Sequence, residues 1–470
     1  MITNLTAQNF KSWADTGQIK IAPLTGFFGT NSSGKTAILQ LLLMLKQTVE
    51  AVDRQRVLHL GDDRSYIDLG TFADIVYGHQ IPGQINLALE WQPTQPLAIA
   101  DPEGEPEQQL FLISQLNYNA KIKGKLDNIW IEEFGYKFSD KNVNYQFGMR
   151  CESEPTADNY SNYDLIAEGY QLRRKRGRAW QLPPPVQSYR FPDKVNAYYQ
   201  NASFLADLSL ALQEQLQNLY YLGPLRDYPR RRYLWGGDNP QDVGQKGELA
   251  IPALLAARGG NQISKVEEKV AHWLRELGLI YDFRLEPIAA NSKDYELRVR
   301  LSSSAHEVLI TDVGFGVSQI LPVLVLCYYA PPGATIILEQ PEIHLHPSVQ
   351  AGLADVFIDV IKNQAVQIIL ESHSEHLLRR LQRRVAEEQL ANEDAALYFC
   401  ETDGDGVAQL TSLELDGWGN INNWPDGFFG DEMGDLVAMT EAAMNRQLSF
   451  TAKCASECGG NFCEGNSGGI

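Results

Sequence analysis

The sequence predicts a mixed α/β fold whose two halves are separated by a long β-rich and helical insertion. Three observations carry this prediction. Near the start, a strand-like segment runs into a Gly/Ser-rich loop and then the strongly apolar helix AILQLLLML. Near residue 335 the apolar strand TIILE ends in an acid, and helix and strand alternate after it. Between them lie aromatic-rich segments of alternating polarity, the pattern of strands with one buried face.

In chain order, residues 1–75 read as the first half of an α/β lobe, with ITNLTAQNF and QIKIAPLTGFFG as strands leading into the loop and helix. Residues 76–285 read as the insertion. INLALEWQ, QLFLISQLNYNAKI, NIWIEEFGYKF and VNYQFGMR are its strands, and ADLSLALQEQLQNLYYL and SKVEEKVAHWLRELGL its helices. Residues 286–412 read as the second half: a strand pair in YELRVRLSSSAHEVLI, a glycine turn, a helix, and TIILE. Residues 413–450 form a small C-terminal domain, and 451–470 a flexible Cys/Gly tail. No internal repeat or long heptad array is visible, which argues against a coiled-coil arm.

Composition narrows the class. The 470 residues suffice for two or three domains. A formal net charge of −19 disfavours non-specific embrace of nucleic acid by the whole surface, while leaving room for a local basic face. The start is polar, without a secretory layout. No apolar run reaches the roughly 18 residues that span a bilayer. The expectation is a cytoplasmic protein without a membrane partner. Cys151, Cys327 and Cys400 sit in apolar or mixed settings and read as reduced thiols.

Gly29-Thr30-Asn31-Ser32-Ser33-Gly34-Lys35-Thr36 matches G-x-x-x-x-G-K-[ST] in full. Glycines let the backbone curl so that N–H groups converge on phosphate oxygens, and the following helix adds its positive end. Lys35 is expected to reach the β/γ-phosphates of a nucleoside triphosphate, and the Thr36 hydroxyl to ligate Mg²⁺. A chain of this length would match by accident roughly once in fifty. A strand before the loop and a helix after it favour the functional reading.

Glu339, at the end of TIILE, stands where a magnesium-side acid belongs. The next residue is Gln340, which can hold a water but cannot take its proton. Losing a general base typically costs about 10²–10⁴-fold, so slow hydrolysis is expected, with Glu342 the nearest alternative carboxylate. His373, in QIILESHSEHLLRRL, follows another apolar strand and is a candidate γ-phosphate contact. His344, His346 and His376 offer a rival metal cluster, but HLH and HSEH lack the spacing of zinc-binding helices. In TDVGFGVSQ, Gly314 and Gly316 precede an apolar helix, and Ser318 could add a hydroxyl. A second anion-binding turn makes sense if it meets the nucleotide of another subunit. The plain alternative is a turn that caps a buried helix.

Together these segments resemble the ABC-type ATPases of the OLD/RecF/SMC-like group, labelled AAA-family ATPases in bacteria. The motifs are NFKSW…PLTGFFGTNSSGKTAIL, VGFGVSQ, ILEQPEIHLHP and ESHSEHLL, with YYLGPLRDYPRRRY as a further element. LELDGWGNINNWPDGFFGDEMGDL resembles the C-terminal domain of unknown function of one branch. The resemblance implies an ABC-type P-loop NTPase head working as a homodimer or higher homo-oligomer. Two heads would sandwich ATP, each site completed by the partner's Gly314, Gly316 and Ser318. It gives Lys35 and Thr36 the phosphate and Mg²⁺ roles, Glu339 the magnesium-side acid, Gln340 the water side and His373 the switch histidine. The turn is not a strict LSGGQ, and the usual catalytic glutamate is missing, which puts fast turnover in doubt more than binding. The family's nuclease-bearing members append a Toprim domain. After residue 380 the one acidic candidate is ETDGDG, which reads as a turn.

Branch members include the anti-phage defence ATPases of Septu and PARIS, which act with a separate effector, a nuclease or toxin. The resemblance therefore implies an ATP-dependent switch in defence. Two alternatives stand beside it: an ATP-bound scaffold that stores an effector, and a DNA repair or maintenance ATPase.

Three basic clusters leave nucleic acid open as a partner: Arg173, Arg174, Lys175, Arg176 and Arg178; Arg226, Arg230, Arg231 and Arg232; Arg379, Arg380, Arg383 and Arg384. Each by itself reads more simply as a solvated or ion-paired face. Cys454, Cys458 and Cys463 in the tail lack an obvious fourth zinc ligand.

Overall fold

A computed structural model describes residues 1–105, 108–125, 128–153, 162–177, 181–258, 264–425, 428, 437–444 and 446–447. Two compact units divide it, Met1–Asn423 and Trp424–Ile470. In the second, the Trp424 ring stacks on Phe428 at 4.8 Å. Arg178 and the tail cysteines Cys454, Cys458 and Cys463 lie outside the described residues.

The expected mixed α/β architecture is present, and two sheets carry the first unit. The six-stranded sheet runs in the order Leu219–Leu222, Thr335–Glu339, Gln367–Glu371, Leu24–Gly29, Ala395–Thr402, Ala408–Ser412. The first five strands are parallel; the last turns back as a hairpin. TIILE and QIILE are buried at all five positions, as strands covered on both faces must be. The carboxyl ends of these strands share one edge of the sheet, which is where open α/β sheets bind ligands.

The antiparallel sheet has eight strands, Tyr163–Glu168, Val143–Cys151, Asn128–Asp140, Leu116–Lys125, Gly83–Trp91, Ile2–Phe10 and Trp13–Asp15, with Ile19–Lys20 also pairing on Ile2–Phe10. Its segments alternate: Gly83–Trp91 buries every second residue from Ile85 to Trp91. The helix Lys35–Glu50 is buried along nearly its whole length. It shares one continuous core with both sheets, including Leu5, Leu89, Phe27 and Ile369. Gln367 stitches the sheets together, donating to the Ile2 carbonyl at 2.7 Å and accepting from the Ile2 N–H at 3.0 Å.

This partition differs from the boundaries read in the sequence. Ile2–Phe10, expected in the N-terminal half of the head, belongs to the antiparallel sheet, because its alternating pattern buries one face. Within the expected insertion, Leu219–Leu222 is instead the edge strand of the parallel sheet. The strand pair of YELRVRLSSSAHEVLI forms, but in a separate small sheet with Asp282–Pro287 and Tyr233–Leu234. ETDGDG closes the hairpin before Ala408, with Asp403 accepting from the N–H groups of Asp405 and Val407. Among the described residues no helix is long and apolar enough to cross a membrane.

Candidate functional site

The phosphate loop leaves the carboxyl end of Leu24–Gly29 and enters the helix Lys35–Glu50. Its glycines are conformationally required. Gly29 has φ 135°, and a Cβ there would meet the Cys400 carbonyl oxygen at 1.9 Å. Gly34 has φ 89° and packs so closely that Trp13 Nε1 donates to its carbonyl at 3.0 Å. The helix opens without a side-chain cap or an acid in its first turn, which leaves its N-terminal N–H groups to an incoming anion. Thr30, Asn31 and Ser32 are exposed, while Ser33 and Lys35 are buried. Ser33 Oγ donates to the Thr30 carbonyl at 2.8 Å. Lys35 Nζ folds back over the loop, donating to Thr30 O at 2.6 Å and Gly29 O at 3.2 Å. Burial lowers its pKa, opposed by the charge of Glu371.

Two acids face each other beside Thr36. Thr335–Glu339 and Gln367–Glu371 pair in parallel with Glu339 opposite Glu371. Both are buried, at 7% and 3% exposure. The Thr36 hydroxyl donates to Glu371 Oε2 at 2.7 Å. The Tyr221 hydroxyl donates to Glu339 Oε1 at 3.1 Å. Burial, reinforced by the charge of Glu371, pushes the Glu339 carboxyl up to about 7. Burial also raises Glu371, and hydrogen bonds from Thr36 and Gln340 together with Lys35 restrain it. Two buried carboxylates next to a hydroxyl and an ammonium fit a divalent cation, which would replace shared protons as the neutralising charge. Among the described residues no three His, Cys, Asp or Glu side chains converge as a metal cluster, so the rival histidine cluster has no structural basis there.

Gln340 turns the chain sharply at φ 44°, in the left-handed region that is sparsely used by residues other than glycine. Its N–H donates to the Glu371 carbonyl at 2.9 Å, and its side chain donates to the Glu371 carboxylate. The amide thus sits on the acid pair and adds a donor where a glutamate would add a further negative charge.

Glu342 and His373 follow the ends of the same two strands. The His373 N–H donates to Glu342 Oε1 at 2.6 Å, while Oε2 of this buried carboxylate has no partner. Burial raises the Glu342 pKa. His373 is exposed as a residue, its ring lies against the Gly29 carbonyl at the mouth of the loop, and partial desolvation there, with the charge of Lys35, lowers its pKa.

The structure therefore gathers the phosphate loop, Glu339, Gln340, Glu342 and His373 at one sheet edge. The glycine turn packs against the segment that follows Glu342. Gly314 is exposed, Gly316 faces Leu345 and Leu279, and the Phe315 ring stands 5.5 Å from His344. Ser318 is buried and gives its hydroxyl proton to the Phe315 carbonyl at 2.7 Å. His346 caps the helix Pro347–Gln364, accepting from the Ser348 N–H.

The basic clusters resolve mostly into ion pairs. Arg380 and Arg384 both bind Asp355, Arg379 pairs with Glu375 and Arg383 with Glu387. Arg230 pairs with Asp227 and Arg231 with Asp312. Arg226 does not belong with its sequence neighbours: it is 7% exposed and faces Glu342. Sequence reasoning also missed Glu371 and Tyr221. For Glu371 a signal existed, since QIILE repeats the strand-plus-acid text of TIILE; for Tyr221, 118 residues from Glu339, there was none.

Comparison with known proteins adds two family matches. Residues 257–378 match the model described as AAA ATPase domain, and residues 390–439 one described as a protein of unknown function, DUF3696. The first covers Glu339, Gln340, Glu342, His373 and the glycine turn but not the phosphate loop, whose assignment rests on its own motif and geometry. A search of curated proteins finds no match. Among solved structures, an SMC head bound to the C-terminal winged-helix domain of ScpA aligns over 88% of this chain and 98% of its own, at 12% identity and TM-score 0.43. The SMC head domain of Thermotoga maritima aligns over 88% and 99%, at 11% identity and TM-score 0.39. An SMC head with an extended coiled coil from Pyrococcus furiosus gives 88%, 96%, 11% and 0.40. Scores this low give the superpositions no functional weight.

Proposed function

We propose that this chain is an ATP-binding, slowly hydrolysing ABC-type ATPase that works as a nucleotide-dependent switch. The observation that carries this reading is the junction of the phosphate loop with the acid pair: Thr36 bonded to Glu371, with Glu339 opposite and Lys35 folded over the loop. ATP lies with its phosphates against the loop amides and the uncapped start of the helix. Lys35 exchanges its carbonyl partners for phosphate oxygens, a stronger charge-assisted contact. Thr36, Glu339 and Glu371 would hold Mg²⁺, which when bound neutralises charge on the terminal phosphates. Gln340 orients groups around Glu371 without accepting a proton. That task falls to Glu342, whose Oε2 is free and whose pKa burial raises, making it a better proton acceptor than a solvated carboxylate. Slow turnover follows from the absence of a proton acceptor at residue 340 itself.

The glycine turn of a second copy completes the pocket. The solvent-exposed Phe315, Tyr228 and Leu225 around it supply apolar area for that contact. A γ-phosphate shared by two subunits gives the differential affinity that a switch requires. By the sequence resemblance to defence ATPases, its output is a separate effector protein, a nuclease or toxin. Light scattering with and without Mg²⁺-ATP tests the reading: larger assemblies form with the wild type and not with Lys35→Ala. An oligomer indifferent to nucleotide in both proteins would refute it. Gln340 also favours a second reading, a scaffold that stays ATP-loaded. Phosphate release no higher than that of Lys35→Ala would select it.

A further inference from the structure

One buried charge that the site described so far leaves unused is Arg226. It lies in Gly223-Pro224-Leu225-Arg226, just past the carboxyl end of Leu219–Leu222. That strand pairs in parallel with Thr335–Glu339, with Leu222 opposite Leu338. Arg226 therefore follows the same sheet edge as Lys35, Glu342 and His373, each just beyond the end of a parallel strand.

Its surroundings are unusual. The residue is 7% exposed, and Nε, Nη1 and Nη2 all lack a hydrogen-bond partner. Burial pulls its pKa down to about 10, and the charge opposing that shift is Glu342. Glu342 keeps one idle atom, Oε2, while its Oε1 accepts from the His373 N–H. Two opposite buried charges, each with idle polar atoms, are an expensive arrangement when nothing lies between them. A guanidinium is a planar fork suited to the oxygens of a phosphate, and its burial keeps it from reaching across to another subunit.

We propose that Arg226 binds the terminal phosphate of the triphosphate held by its own subunit, making the pocket selective for ATP over ADP, with Glu342 Oε2 left to accept from the water beside that phosphate. This rests on the reading that the phosphate loop binds nucleotide, and it adds the residue that senses the third phosphate.

Isothermal titration of full-length protein with Mg²⁺-ATP and Mg²⁺-ADP tests it, comparing wild type, Arg226→Met, Arg226→Lys and Lys35→Ala. Arg226→Met should lower ATP affinity roughly 10- to 100-fold and change ADP affinity less than about twofold, with Arg226→Lys between. Arg226→Met leaves the buried Glu342 without its opposing charge, so thermal melts without nucleotide are recorded for every variant to show that it is folded at the titration temperature. A purely structural role predicts equal losses for the two nucleotides. Equal losses for ATP and ADP, or an unchanged ATP affinity, would overturn the proposal. If Lys35→Ala binds both nucleotides like the wild type, the phosphate-loop reading itself has failed and the Arg226 proposal falls with it.

Discussion

Replacing Glu339 by glutamine should remove a pH dependence that the wild type carries in the absence of nucleotide. The carboxyl titrates near 4.5 when solvated and is pushed up to about 7 in the fold by burial and the facing Glu371. A carboxyl raised in this way stabilises the fold in its protonated form. The contribution is complete below pH 4.5 and is lost as pH climbs through about 7. At about 1.4 kcal/mol per unit, a shift from 4.5 to about 7 amounts to roughly 3 kcal/mol. The Glu339→Gln variant would keep the Tyr221 hydrogen bond through its amide oxygen while losing both the titration at this position and the repulsion of Glu371. Urea denaturation between about pH 5 and pH 8 without Mg²⁺ should therefore show wild-type stability falling with pH more steeply than that of the variant, which keeps the raised carboxyls of Glu371 and Glu342. Adding Mg²⁺-ATP should restore wild-type stability most strongly above about pH 7, where the carboxylate is free to bind the cation, and should do less for the variant. Parallel pH profiles for the two proteins would refute the reasoning, since they would mean that Glu339 is solvated or permanently paired.

Two further substitutions probe the loop and the water side. Gly29→Ala meets the Cys400 carbonyl at 1.9 Å in a left-handed conformation, so it should cost about 2–4 kcal/mol and abolish ATP binding, both readable by thermal melts with and without nucleotide. Gln340→Glu places a third carboxylate on the Glu339–Glu371 pair. It should destabilise the Mg²⁺-free protein and change phosphate release less than about tenfold, whereas Glu342→Gln should lower it by about 10²–10⁴-fold. A gain of about 10²-fold in Gln340→Glu would put the attacking water at residue 340 instead.

The phosphate loop was legible because its chemistry is local. Gly29 and Gly34 must reach positive φ, Lys35 begins a helix, and Thr36 follows within one contiguous segment, so spacing alone describes the geometry. The acid at Glu339 was legible for a similar reason, as a carboxylate ending a strand buried on both faces. Three further features were decided by the tertiary structure. Parallel register sets Glu339 opposite Glu371, and packing brings Thr36 to Glu371 across 335 positions. Arg226 sits among arginines in sequence, yet the strand order carries it inside while Arg230 and Arg231 find acids at the surface. A hydrogen bond across hundreds of residues, and the decision to bury a charge or leave it in water, depend on which strands become neighbours, and no local pattern encodes that.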